Sequence, residues 1–199
     1  MSAEGGQQAR GSPAAKRGKF GPAVSEGRAG LMLRPHDDYK VARIVISEFM
    51  EVADLAVPGL VKVHGYWDRV RDGRIAPPLR EFRLEVLPPE VIPCMAVVDF
   101  LGPPLDFYYR FFGSRMVEIA GQELTGRRYY ADKITGYGFV NAEIFPIMIE
   151  RRAPVCSRTL WVSVKGLEIT TTTVRLPLSE DGSAITGGVT ANDFRQGHG

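Results

Sequence analysis

Apolar residues change their spacing several times along this chain, and each change marks a new element. From Asp37 to Asp54, Val41, Ile44, Val45, Phe49 and Val52 fall at three- and four-residue steps, the period of one helical face. Asp37 or Asp38 would cap such a helix and complement the positive end of its dipole. Beyond Pro58 and Gly59, Leu60, Val63, Trp67 and Val70 repeat the pattern to Asp72, and Gly73 stops it. Two amphipathic helices ahead of a sheet cover it or pair with a partner's copy, and cover is the expected role here. Residues 75–93 then carry Pro77, Pro78, Pro88, Pro89 and Pro93, which limits regular structure to short helical turns.

The period next shortens to two. Cys94 to Leu101 and DFYYRFFGS, separated by a Gly-Pro-Pro link, predict a hairpin with its loop at Gly102 to Leu105. Strict alternation puts Phe107, Tyr109 and Phe111 on one face and Tyr108, Arg110 and Phe112 on the other. Both faces are aromatic, so both need cover, one from the first helices and one from those that follow. Ser114 would cap a short helix carrying Met116, Ala120 and Leu124, and Gly121 and Gly126 stop it and permit a turn. An irregular piece leads to a helix from about Tyr137 to Arg152, with Val140, Ile144, Ile147 and Met148 on its apolar face. Pro146, inside it, cannot donate to the carbonyl of Ala142 and predicts a kink or two shorter helices. Val155–Val164, Leu167–Leu178 and Ala184–Asp193 finish the chain as strands. The middle one is dense in β-branched residues, and Asp181-Gly182 forms the turn to the last.

Composition narrows the function. The 199 residues hold one domain plus tails, with a formal net charge of +2, too little to draw nucleic acid or a membrane surface. No run of 18 apolar residues predicts a spanning helix, and the start lacks the apolar core of a secretory signal; a cytoplasmic location is the expectation. Residues 1–30 hold few bulky apolar groups and read as a flexible tail, in which Lys16, Arg17 and Lys19 are a weak basic cluster. Cys94 and Cys156, on strands three places apart, would be roughly 14 Å from one another. A disulfide requires Cα atoms within about 7 Å, so both read as reduced core thiols.

Four stretches, YWDRVRDGRIAPP (Tyr66 to Pro78), FYYRFFGS (Phe107 to Ser114), GQELTGR (Gly121 to Arg127) and RLPLSEDG (Arg175 to Gly182), together resemble a bacterial subfamily of stand-alone PAS-like proteins. The likeness covers roughly Leu60 to Asp193. It implies an α+β fold: a five-stranded antiparallel sheet in the order 2-1-5-4-3, with helices over its concave face. The organisation is then a tail (1–30), N-terminal helices (31–75) and a PAS-like domain (76–195). The resemblance also implies a space between sheet and helices that holds a small molecule, without specifying which one. Pro146 departs from the pattern, because it falls where the main pocket-lining helix should run.

Chemistry can be tested against this frame. An axial haem ligand would come from the long helix, and Tyr137 to Arg152 contain neither His nor Cys. A light-sensing flavin needs a reactive cysteine between Gly113 and Pro154, and none occurs there; simple flavin binding stays open. His36, His64 and His198 are scattered without metal-ligand spacing. His64 has Asp68 at i+4, which reads as a surface ion pair. No Ser, Cys or Thr comes with a base in a nucleophile motif, so an enzyme is not expected. What remains is a set for lining a cavity: Tyr109, Phe111, Ile119, Leu124, Tyr130, Phe139, Asn141, Phe145, Met148 and Trp161. Plain core is the competing role for such residues. Tyr109, Asn141 and Arg110 would be the polar handles, with Arg110 paired to a carboxylate on the helical cover, Asp68 being one choice. The expectation is a sensory or regulatory module that binds a small ligand or a signalling protein, with homodimerisation through the N-terminal helices. A ligand-free dimerisation module is the alternative.

Overall fold

The computed structural model describes residues 41–130 and 138–196; the tail expected over residues 1–30 lies outside them. Seven strands form one antiparallel sheet: β1 (Val41–Met50), β2 (Met95–Leu101), β3 (Asp106–Phe112), β4 (Arg127–Tyr130), β5 (Val155–Ser163), β6 (Glu168–Leu178) and β7 (Gly187–Gln196). Their order across the sheet is β1-β5-β6-β7-β2-β3-β4. Three helices accompany it: α1 (Pro58–Arg71), α2 (Ser114–Ala120) and α3 (Gly138–Arg151). The architecture is therefore α+β, with seven strands among the described residues where five were expected.

Both added strands lie at the edges, and each corrects a prediction. The segment expected as the first helix is β1, paired with β5. Its register shifts between Ile44 and Ile46, leaving Val45 as an extra residue. Across that bulge Ile44 faces Trp161, and three residues on Ser47 faces Thr159. A bulged strand thus takes one three-residue step, which mimics helical spacing, while Val41, Ile44, Val45 and Ile46 favour a strand by β-branching. The piece expected to be irregular after Gly126 pairs with β3 as β4.

The remaining elements follow their sequence signals. Pro58 opens α1, and Asp72 and Gly73 close it at positive φ. The proline-rich segment forms three short 3-10 turns, Leu79–Glu81, Leu84–Val86 and Ile92–Cys94. Pro146 lies inside α3 without ending it. The cap of α2 is Gly113, not Ser114, which is the first helical residue.

Helices cover both faces of the sheet. On one, Leu60, Val63 and Trp67 of α1 pack with the turn residues Phe82, Leu87 and Val91 against Met95, Val97, Val174, Leu176, Val189 and Ala191. The Trp67 indole donates to the Pro177 carbonyl at 2.8 Å. On the other, Met116 and Ile119 of α2 and Ile144, Phe145 and Met148 of α3 pack on Ala96, Val98, Phe107, Tyr109 and Trp161. The predicted two-sided cover is thus present, with α1 alone supplying the first face's helix.

Two tests follow from this packing. Gly113 donates to the Met95 carbonyl at 2.8 Å, and a Cβ there would meet the Pro93 carbonyl and come within 2.6 Å of that of Ile92. Backbone on that side cannot yield as a side chain would, so G113A should lower unfolding stability by about 2 kcal/mol. An unchanged urea midpoint would refute the close approach. In the β6–β7 turn, Asp181 accepts from the Ser183 hydroxyl and amide at 2.7 and 2.8 Å. These bonds, the hydroxyl first, hold its carboxyl at about 2, below the usual 3.8. The stabilisation is present above the unfolded value and lost as pH falls from about 3.8 toward 2. D181N should therefore melt below wild type at pH 7, with the gap closing by pH 2 in a melting series.

Candidate functional site

The face covered by α2 and α3 is not uniformly apolar. Strand alternation places Ser157 and Thr159 of β5, Thr171, Thr173 and Arg175 of β6, and Thr190 and Asn192 of β7 on it, all buried. Burying so many polar groups requires that they bond to one another. Ser47 and Thr159 share a hydrogen bond of 2.9 Å. The Trp161 indole donates to Thr171 at 2.8 Å, and the Thr173 hydroxyl to Asn192 Oδ1 at 2.8 Å. Asn192 Nδ2 reaches the Cys94 carbonyl at 2.9 Å.

Arg175 anchors this row. Its side chain is 0% exposed; Nε donates to Asn141 Oδ1 of α3 at 3.0 Å and an Nη to Ser157 Oγ at 2.8 Å. The guanidinium thereby ties α3 to two strands. Directly opposite Arg175 in the β6–β7 ladder stands Thr190. It is 2% exposed, and its hydroxyl has no hydrogen-bond partner among the described residues.

Six of the predicted lining residues, Tyr109, Ile119, Leu124, Phe145, Met148 and Trp161, meet in the apolar cluster on this face. Asn141 joins them through Arg175. Phe145 lies 5.0 Å from Phe100 and 5.3 Å from Phe107, ring to ring. Phe111 does not belong: it packs on the α1 side, while Phe112 sits 5.3 Å from Tyr109. The cause is an extra residue, Arg110, in β3, because Val97 pairs with Phe111 but Val98 with Tyr109. One bulged residue reverses the alternation after it. The side chains of Tyr130 and Phe139, on β4 and α3, lie outside the described ones.

Two expected ion pairs are also replaced. Arg110 bonds to Asp99 on the neighbouring strand at 2.7 Å, and Asp68 to Arg71 at 2.7 Å. For His64, desolvation by burial outweighs the nearby Asp68 and holds the imidazole below its usual value. Sequence reasoning missed Arg175, Ser157, Thr173 and Thr190 as site residues. Their signal was a cation inside TTTTVRLPL, a strand apolar enough to be covered on both sides.

An open groove of about 370 Å³ lies at the end of β7. The start of α1 (Val57 to Leu60), Val91, Cys94, Arg115 and residues Asn192 to Arg195 line it. Asn192 belongs both to the groove and to the buried row. Cys94 is half-buried and Cys156 buried, and neither is in a disulfide; burial pushes the Cys156 thiol up to about 11, removing it as a nucleophile near neutrality.

The row's hydroxyls, Thr190's apart, bond to an arginine, an indole, an asparagine and one another. Among the described residues no group of His, Cys, Asp and Glu could hold a metal ion, and no helix is long and apolar enough to cross a membrane. No protein-family model, curated protein or solved structure matches the chain.

Removing the guanidinium should strand Asn141 and Ser157 in a dry interior. R175A is expected to cost on the order of 3 kcal/mol in urea unfolding, with R175M, which keeps the volume, costing less. Equal, small losses for both would show that the arginine's bonds contribute little.

Proposed function

We propose that the chain is a PAS-type sensory or regulatory module of the cytoplasm that binds a small ligand and passes the signal to a partner protein. One observation carries this: the five inner strands run β3-β2-β7-β6-β5. Numbered in their own chain order they read 2-1-5-4-3, with α2 and α3 inserted between the second and third and packed on one face. The buried polar row supports the ligand branch, since a few placed polar groups in an apolar interior are what orient a small molecule. The mechanism is a population shift. A ligand between α3 and the sheet favours one packing of that helix, which Arg175 and Asn141 transmit to the strands. Binding, not catalysis, is the proposed role.

The output surface involves the N-terminal elements, though not as a pair of helices, since the first of them is β1. Helix α1 buries Leu60, Val63 and Trp67 against the sheet and leaves Val61 exposed. A second reading, a ligand-free interaction module, is favoured by the close packing around α3. The Phe100, Phe107 and Phe145 rings contact one another there, and the Met148 methyl would lie 2.9 Å from a Cβ at Gly188.

Native mass spectrometry of the purified protein, against a denatured control, separates the two. The sensor reading expects a retained small molecule, or a melting temperature raised by a metabolite screen. A bare mass and an unmoved melting temperature would leave the interaction module. Light scattering at two concentrations would then show whether the chain associates with itself.

A further inference from the structure

The two edges of the sheet differ in length. β4 ends one side with four residues, Arg127–Tyr130, while β1 ends the other with ten, Val41–Met50. Among the described residues only β5 pairs with β1, so the outward N–H and C=O groups of β1 have no strand beside them there. Such an edge is a template for another strand unless Pro, Lys or a short span blunts it. VARIVISEFM contains neither residue type and is rich in β-branched side chains. Ile44 and Phe49 anchor it to the cluster under α3, and the Arg151 guanidinium lies 5.5 Å from the centre of the Phe49 ring.

The charges on β1 say which strand fits. Arg43 and Glu48 are five residues apart in sequence, a spacing that strict alternation puts on opposite faces. The ladder counts differently. Arg43 stands opposite Val162, Ile46 opposite Leu160 and Glu48 opposite Arg158. With Val45 as an extra residue, the two charges lie four places apart on one face, and Ile46 is midway. Neither is in an ion pair among the described residues, and Arg43 is exposed. An antiparallel copy related by a two-fold axis at Ile46 sets Arg43 of each chain opposite Glu48 of the other. Arg158, on the far side of Glu48, continues the alternation of sign. Opposite charges facing across strands favour that register, and a two-fold contact makes the pair twice. No other centre along the strand brings these two residues together.

We infer that β1 is a dimerisation strand: it pairs antiparallel with β1 of a second copy and joins the two sheets into one. The centre lies at Ile46, and an Arg43–Glu48 pair on each side of it fixes the register. This goes beyond the function proposed above and holds with or without a ligand. An edge strand thus takes the role that a pair of helices was expected to play.

Sedimentation velocity of the full chain over a hundredfold concentration range should show a reversible dimer. R43E and E48R each set like charges opposite one another across the contact, and each should raise the dissociation constant at least tenfold. An equimolar mixture of R43E and E48R should recover the dimer, because each chain then meets opposite charges on its partner. Poor folding of either variant could not produce that recovery, and melting temperatures in dilute solution check folding separately. A monomer at every concentration, the result if the chain before Val41 occupies this edge, overturns the inference and leaves the sensor reading standing. So does a dimer that tolerates both single changes, or one that the mixture fails to restore.

Discussion

A sheet covered by helices on both sides has no solvent face, so each strand crossing its middle buries both sets of alternating side chains. β6 and β7 occupy that position. They solve it asymmetrically. Toward α1 they present Val174, Leu176, Leu178, Val189 and Ala191, and toward α3 they present Thr171, Thr173, Arg175, Thr190 and Asn192. The apolar set supplies non-directional cohesion. The polar set costs stability wherever a group lacks a partner at bonding distance, and among the described residues all of these side chains but Thr190 have one. Strand register, helix placement and the identity of the site are all consequences of meeting that second condition.

Hydrogen bonds make the polar face more specific than an apolar one of the same area. A Leu or Val there would accept many positions of α3, whereas Arg175 requires Asn141 and Ser157 within bonding range. The same bonds couple α3 to β5 and β6 through one side chain. Asn192 extends the row outward, reaching the Cys94 carbonyl and lining the groove at the start of α1. Interior and surface are therefore linked through one strand, β7.

Where local pattern and tertiary demand agreed, the chain was legible. The β2–β3 hairpin, the helix begun near Ser114, the short turns among the prolines and the three closing strands lie close to where spacing and breakers put them. So does the meeting of Tyr109, Ile119, Leu124, Phe145, Met148 and Trp161 on one face. Two of the misreadings share a cause. An extra residue at Val45 turned β1 into an imitation of a helix, and one at Arg110 sent Phe111 to the opposite side from Tyr109. Bulges are set by the partner strand, and a periodicity count has no access to the partner.

By itself the sequence determined the α+β class, the positions of most breaks, and the need for cover on both faces of the aromatic hairpin, because each depends on neighbours a few residues apart. Tertiary structure alone decided that β1 and β4 extend the sheet, that Arg110 pairs with Asp99, and that Arg175 meets Asn141 and faces Thr190. Those pairings join residues far apart along the chain, and their energies depend on which strands lie side by side. Local propensity carries no term for that.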